Sequence, residues 1–162
     1  MQTLILPGYS SKNKVWADSI KDHLLVEGMI RPIYWAHWND ESIVFDAKEK
    51  ADLLVKHTKG DNINIIAKSV GTLVSAYMFN LMRERINKII LCGIPVNDLN
   101  ELDLELVRGF AKEASGRILI IQNIHDPHGN YELVKNFGNV VSKDRNDHDY
   151  PYLDDFNNFL TH

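Results

Sequence analysis

Apolar residues along the chain follow two alternating rhythms. Short unbroken runs occur at 2–6 (Gln-Thr-Leu-Ile-Leu), 31–35 (Arg-Pro-Ile-Tyr-Trp), 63–67 (Ile-Asn-Ile-Ile-Ala), 88–92 (Lys-Ile-Ile-Leu-Cys), 117–122 (Arg-Ile-Leu-Ile-Ile-Gln) and 139–142 (Asn-Val-Val-Ser). The inner runs are nearly continuous in Ile, Leu and Val, as strands buried on both faces must be. Between the runs, apolar residues recur at helical spacing. Trp16, Ile20 and Leu24 mark a helix over 13–28, with Gly28 as its stop signal. Ile43, Ala47, Ala51, Leu54 and Val55 share one face of a helix over 43–59. Further helices are predicted over 71–84, over 103–115 (Leu106, Val107, Phe110, Ala111, Ala114), over about 130–137, and over 151–161, opening at Pro151. Strand and helix alternate throughout, which predicts an α/β protein: a parallel sheet with helices on both faces. Right-handed crossovers reduce its topology to a few choices.

Composition narrows the class without changing this picture. At 162 residues a single domain over 1–162 is expected, long enough to bury a core without disulfide or metal staples. Hydrophobic residues make up 44% and charged residues 25%, ordinary for a soluble globular protein. The net charge is −4 and no basic block occurs, so nucleic acid is not an expected partner. No apolar run approaches the ~20 residues of a membrane span. The N-terminal Met1–Pro7 stretch has no basic region before its apolar residues, so it reads as the first strand rather than a signal peptide. The single cysteine, Cys92, excludes an internal disulfide framework. Together these features predict a cytoplasmic protein.

In an open α/β sheet, ligands bind at the carboxyl ends of the strands. Pro7-Gly8-Tyr9-Ser10-Ser11 follows the first predicted strand and Lys68-Ser69-Val70-Gly71 the third. Gly93 to Asp98 follows the fourth, Asn123-Ile124-His125-Asp126-Pro127-His128-Gly129 the fifth, and Lys143 to Asp149 the sixth. Ser69 ends an apolar strand-like run, has Ala67 and Gly71 two residues to either side, and opens a helical stretch. That is the sequence form of a nucleophile elbow, and no other serine in the chain has that context. A serine, an acid and a histidine thus fall at strand ends in the order Ser69, Asp126, His148.

On these residues the chain resembles the small, lidless α/β hydrolases, of the compact bacterial kind with an Ala-Lys-Ser-x-Gly elbow. The resemblance runs from Pro7-Gly8 to His148, and the order Ser, Asp, His is that of the family's triad. It implies a three-layer sandwich around a mostly parallel six-stranded sheet of order 2-1-3-4-5-6, without the first two antiparallel strands of the full family fold. Ala67 stands where the family's elbow has its first glycine. Alanine is the next smallest side chain, so the tight turn is retained. Only residues 93–100 separate the fourth strand from the next helix, where larger relatives often carry a lid.

The implied activity is a serine hydrolase cleaving a small carboxylic ester, thioester or amide through an acyl-enzyme, with no cofactor or metal. Serine is a weak nucleophile and needs an adjacent base. His148 takes that role and Asp126 holds its tautomer. The amides of Tyr9 and Val70 are the expected oxyanion donors. Ser10, Trp35, Trp38 and Lys68 are candidate substrate-lining residues. Asp98 is the competing acid, because some family members place the acid one strand earlier. His125 and His128 are rivals to His148, which is favoured by its position beyond the last strand. The run His125-Asp126-x-His128 also invites a metal reading, although closed zinc sites usually use more widely spread ligands. Cys92 ends a buried strand without an elbow and reads as structural; His37 also reads as structural. The alternative function is a hydrolase-fold protein of weak or no activity that binds a protein partner. A hydrolase-fold acyltransferase would use the same triad. Nothing in the sequence fixes an oligomeric state.

Overall fold

The computed structural model describes residues 1–58, 60 and 62–162. Six strands form one sheet: β1 (Gln2–Leu6), β2 (Met29–Pro32), β3 (Ile63–Lys68), β4 (Ile86–Cys92), β5 (Ile118–Asn123) and β6 (Val140–Lys143). Their order is β2-β1-β3-β4-β5-β6 and every pairing is parallel, so the expected order holds and the sheet is wholly parallel. Every residue of β1, β3 and β5 is buried, whereas the edge strands β2 and β6 are half-exposed.

Side chains of the inner strands alternate between two cores, as the two-residue period of a strand requires. Leu4, Leu6, Ile65, Ala67, Ile89 and Leu91 face α2 (Ala47–His57), α3 (Val70–Met82), α4 (Glu101–Glu113) and the single turn α5 (Tyr131–Val134). Ile5, Ile66, Ile90, Cys92 and Ile121 face α1 (Asn13–His23) and α6 (Leu153–Thr161). Helix α3 packs between α2 and α4 over the sheet centre, which is why it is apolar on nearly all sides.

The element boundaries differ from the sequence expectation in physically readable ways. β2 covers 29–32 rather than 31–35, because Pro32 lacks the N–H that would continue the ladder. Trp35 instead turns inward and starts a 3-10 turn at Ala36–Trp38. Helix α1 stops at His23, where Leu24 becomes extended and drops into the core. Gly28 is not its stop but the turn into β2, at φ +96°, with its α-carbon so close to the Met1 carbonyl that a Cβ would lie 2.3 Å from the oxygen. Helix α2 begins at Ala47 rather than 43, capped by the Asp46 carboxylate accepting from the Glu49 amide at 2.9 Å. The end expected at Lys59 lies outside the described residues. Pro151 precedes α6 rather than opening it. No helix among the described residues is long and apolar enough to cross a membrane.

Candidate active site

Ser69 sits at the turn between β3 and α3 with φ 54° and ψ −124°. Among the described residues it is the only non-glycine at positive φ. Such a backbone costs ~1–3 kcal/mol and persists only where its surroundings over-determine it. Here they do. The Ser69 amide donates to the Cys92 carbonyl at 3.0 Å, extending the β3–β4 ladder by one bond. The Ser69 carbonyl accepts from both the amide and the hydroxyl of Thr72, at 2.9 and 2.7 Å. Gly71 lets α3 approach β1: a Cβ there would lie 2.2 Å from the Leu6 carbonyl oxygen. This contact brings the start of α3, with the Val70 amide, against the end of β1, which leads to the Tyr9 amide. The N–H groups of a first helical turn have no partner within their own helix.

The segment after β1 is clamped from the end of β2. The Trp35 indole donates to the Pro7 carbonyl at 3.1 Å. The Trp38 indole and His37 Nε2 both donate to the Tyr9 carbonyl at 2.7 Å, and the His37 ring stacks on Tyr9. Trp35 is almost wholly buried, so it does not line a substrate cavity as expected from sequence; it holds the loop. Trp38 does the same from a half-buried position.

Asp126 and His148 meet beyond the ends of β5 and β6. His148 Nδ1 lies 2.7 Å from Asp126 Oδ2, and the Asp126 side chain is fully buried. The same oxygen accepts from the Tyr150 hydroxyl at 2.6 Å, and Oδ1 accepts from the His128 amide at 2.8 Å. Burial pushes the Asp126 carboxyl up, but the bonds from His148 and Tyr150 more than offset it, and its pKa ends below the ordinary carboxylate value. Asp126 is therefore an anion facing an imidazole. Its rival Asp98 instead accepts from the other rival, His128 Nδ1, at 2.6 Å, on a half-exposed surface. The two rivals thus pair with each other, and the His128 ring lies 4.4 Å from that of His148. His125 is exposed.

His148 Nε2 is buried and has no hydrogen-bond partner among the described residues. It is not bonded to the Ser69 hydroxyl. Both residues nonetheless border the carboxyl end of β4: a Cβ at Gly93 would lie 2.9 Å from His148 Cε1, and the Ser69 amide is bonded to the preceding residue, Cys92. Cys92 itself is fully buried, and burial pushes its thiol well above the ordinary range, so it is no nucleophile. Lys68 is buried on the α1 side of the sheet, and Ser10 is exposed near it.

Two residues of this constellation escaped the sequence reading. Tyr150 donates to Asp126 while accepting from the Asn123 amide at 3.1 Å. Burial and the neighbouring Asp126 hold its phenol protonated, so it remains a donor. The Asn123 side chain, wholly buried, donates to the carbonyls of Asp147 and Asp149 at 2.8 and 2.9 Å and so fixes the loop carrying His148. A polar pair, Gln122-Asn123, ending an otherwise apolar strand was the available signal.

Tyr150→Phe is expected to destabilise the protein by about 1–3 kcal/mol, because it leaves the buried Asn123 N–H unpaired and removes a bond to a carboxylate. The melting temperature should fall by roughly 2–12 °C. Asp126 has a lowered folded-state pKa, so its stabilisation is present above the unfolded carboxyl pKa and is lost as pH falls through the folded value. The gap between variant and wild type should therefore narrow in acid. Equal melting curves at neutral pH would refute this role for Tyr150.

Comparison with known proteins adds the fold. No protein-family model matches the chain, and no curated sequence is similar to it. Solved structures do match. Est1E from Butyrivibrio proteoclasticus aligns at TM-score 0.74 and 14% identity, over 99% of this chain and 86% of that one. XC6422 from Xanthomonas campestris, described as an α/β serine hydrolase without lid, aligns at 0.66 and 15%, over 99% and 79%. YbtT, a type II thioesterase of the yersiniabactin pathway, aligns at 0.57 and 14%, over 99% and 89%. With the sheet order and helices on both faces, this similarity defines the chain as a small protein of the α/β-hydrolase fold.

Proposed function

We propose that the chain is a serine hydrolase acting on small carboxylic esters, with thioesters or amides as related substrates. The observation that carries the reading is the strained backbone of Ser69, held by bonds at both its amide and its carbonyl at the carboxyl end of a central strand. Strain of this kind is found where a side chain must be presented to a ligand. Supporting it are the Asp126-bonded imidazole with an uncommitted Nε2, and structural neighbours described as a serine hydrolase, Est1E and a thioesterase.

In this reading Ser69 Oγ attacks the substrate carbonyl carbon as its proton passes to His148 Nε2. Asp126, accepting from Nδ1, fixes the tautomer that leaves Nε2 free and stabilises the imidazolium. The amides of Tyr9 and Val70 donate to the oxyanion. Collapse expels the alcohol, which takes the proton from Nε2, and leaves Ser69 acylated. Water then repeats the sequence and releases the acid. The Ser69–His148 hydrogen bond that starts the cycle is not formed in this structure; such bonds often tighten only when substrate is present.

A cavity of about 430 Å³ beside Val70 is lined by Phe45, Leu73 and Leu99 together with Asp46, Lys48, Asp98 and Asp103, so it has room for a short acyl chain but no extended apolar wall for a long one. Across a series of p-nitrophenyl esters kcat/KM should therefore be highest for short chains and fall for long ones. A strong preference for long acyl groups would overturn this. The missing Ser69–His148 bond favours a second reading, a protein of little activity that acts by binding a partner. Labelling with a fluorophosphonate decides between them. A single adduct on wild type and none on Ser69→Ala, read by intact mass, is the expected result. No adduct from mildly acidic to mildly basic pH would reject the enzyme reading.

A further inference from the structure

Lys68 is buried on the face of the sheet opposite α3, and the mechanism above does not use it. Its side chain is only 8% exposed and ends at a cavity of about 770 Å³ between α1 and the segment from Asp149 to Phe156. An ammonium carries three donors. One goes to Asn13 Oδ1 at 2.8 Å. The nearest carboxylate oxygen, Oδ1 of Asp149, is 4.0 Å away, too far for a hydrogen bond, and the Trp16 ring lies 5.6 Å below. A buried cation with one hydrogen bond among the described residues and one loose ion pair is poorly solvated, and burial pulls its pKa down. Such a group is costly to keep unless something completes its shell.

The rest of the cavity describes what that is. Trp16, Ile20, Tyr152, Leu153 and Phe156 form an apolar, largely aromatic wall. Its volume is in the range that holds a small organic ligand. The charged groups that line it are Lys12, Lys68 and Asp149, with His23 further along α1, so the balance favours an anion. Only one cation is buried, and the Asp149 carboxylate stands near it. This suits a single negative charge better than the double charge of a phosphate monoester.

We propose that this cavity binds an amphipathic monocarboxylate, its aryl or branched alkyl body against Trp16, Ile20 and Phe156 and its carboxylate accepting hydrogen bonds from Lys68 Nζ. The cavity adjoins the candidate active site through Tyr150, which lines it and donates to Asp126. The inference does not depend on hydrolysis, because binding can be measured with an unreactive ligand.

The test is calorimetric titration with 4-phenylbutyrate and with 4-phenylbutanol, which has the same body and no charge. At neutral pH the carboxylate should bind about tenfold more tightly, as a charge-assisted hydrogen bond to a buried ammonium predicts. Lys68→Met should reduce the carboxylate to the level of the alcohol. Leu153→Trp, which fills the cavity while leaving Lys68 in place, should weaken both ligands together. The comparison of the two ligands on the unaltered protein, and the Leu153→Trp result, remain decisive if Lys68→Met fails to fold. Equal affinities in wild type, a carboxylate preference that survives Lys68→Met, or no binding of either ligand at millimolar concentration would each overturn the proposal.

Discussion

Asp126→Asn is expected to lower kcat/KM for ester hydrolysis by about 10⁴, the cost of presenting the wrong imidazole tautomer to a serine. Asp126 Oδ2 accepts from His148 Nδ1, which leaves Nε2 as the basic nitrogen. An asparagine amide at that place would donate to Nδ1 instead, move the ring proton to Nε2 and block transfer from Ser69. Asp98→Asn should cost less than about tenfold, because its partner is His128 on a half-exposed surface, where such pairs contribute little. The two substitutions are chemically identical, so their ratio reads geometry alone. Kinetics on a p-nitrophenyl ester, with folding checked by circular dichroism, gives that ratio. A mild effect at Asp126 together with a large one at Asp98 would overturn the assignment and make Asp98 the acid.

The sequence left these two acids open, and the reason is physical. Both follow a strand end, and a strand end is what a linear pattern can locate. Which acid reaches His148 depends on how the loops beyond β4, β5 and β6 fold back on one another. That is set by bonds between distant residues, such as Asn123 to Asp147 and Asp149, and Trp16 to the Tyr150 carbonyl. No periodicity announces them. The same holds for Trp35 and Trp38. Their position after β2 suggested a substrate pocket; their indole N–H groups reach Pro7 and Tyr9, and burial takes Trp35 alone out of a ligand's reach. By contrast, the central strands were legible because burial on both faces demands uninterrupted Ile, Leu and Val, and the turn at Ser69 because it demands small neighbours. The weakest readings lay at helix ends. Asp46 and Leu24 override helical periodicity there, one by capping the next helix and the other by leaving the last one for the core.

The sharpest test of the close approach between α3 and β1 is a pair of glycine-to-alanine changes of opposite sign. At Gly71 the added Cβ would lie 2.2 Å from the Leu6 carbonyl oxygen and 2.8 Å from its carbon. Both are backbone atoms of a central buried strand, so neither can swing aside, and α3 must move from the sheet. Gly71→Ala is therefore expected to destabilise by roughly 3 kcal/mol or more, lowering the melting temperature by roughly 6–12 °C or more. The same displacement separates the Val70 amide from the loop carrying Tyr9, so whatever protein remains folded should also lose fluorophosphonate labelling at Ser69. Gly109 lies within α4, and a Cβ there meets nothing within 4 Å. Gly109→Ala gains helix propensity without a clash and should stabilise by about 0.5–1 kcal/mol. Thermal melts of the two variants beside wild type measure both. If Gly71→Ala melted with wild type, the tight contact that sets α3 against β1, and with it the argument for a preformed pair of oxyanion donors, would fail.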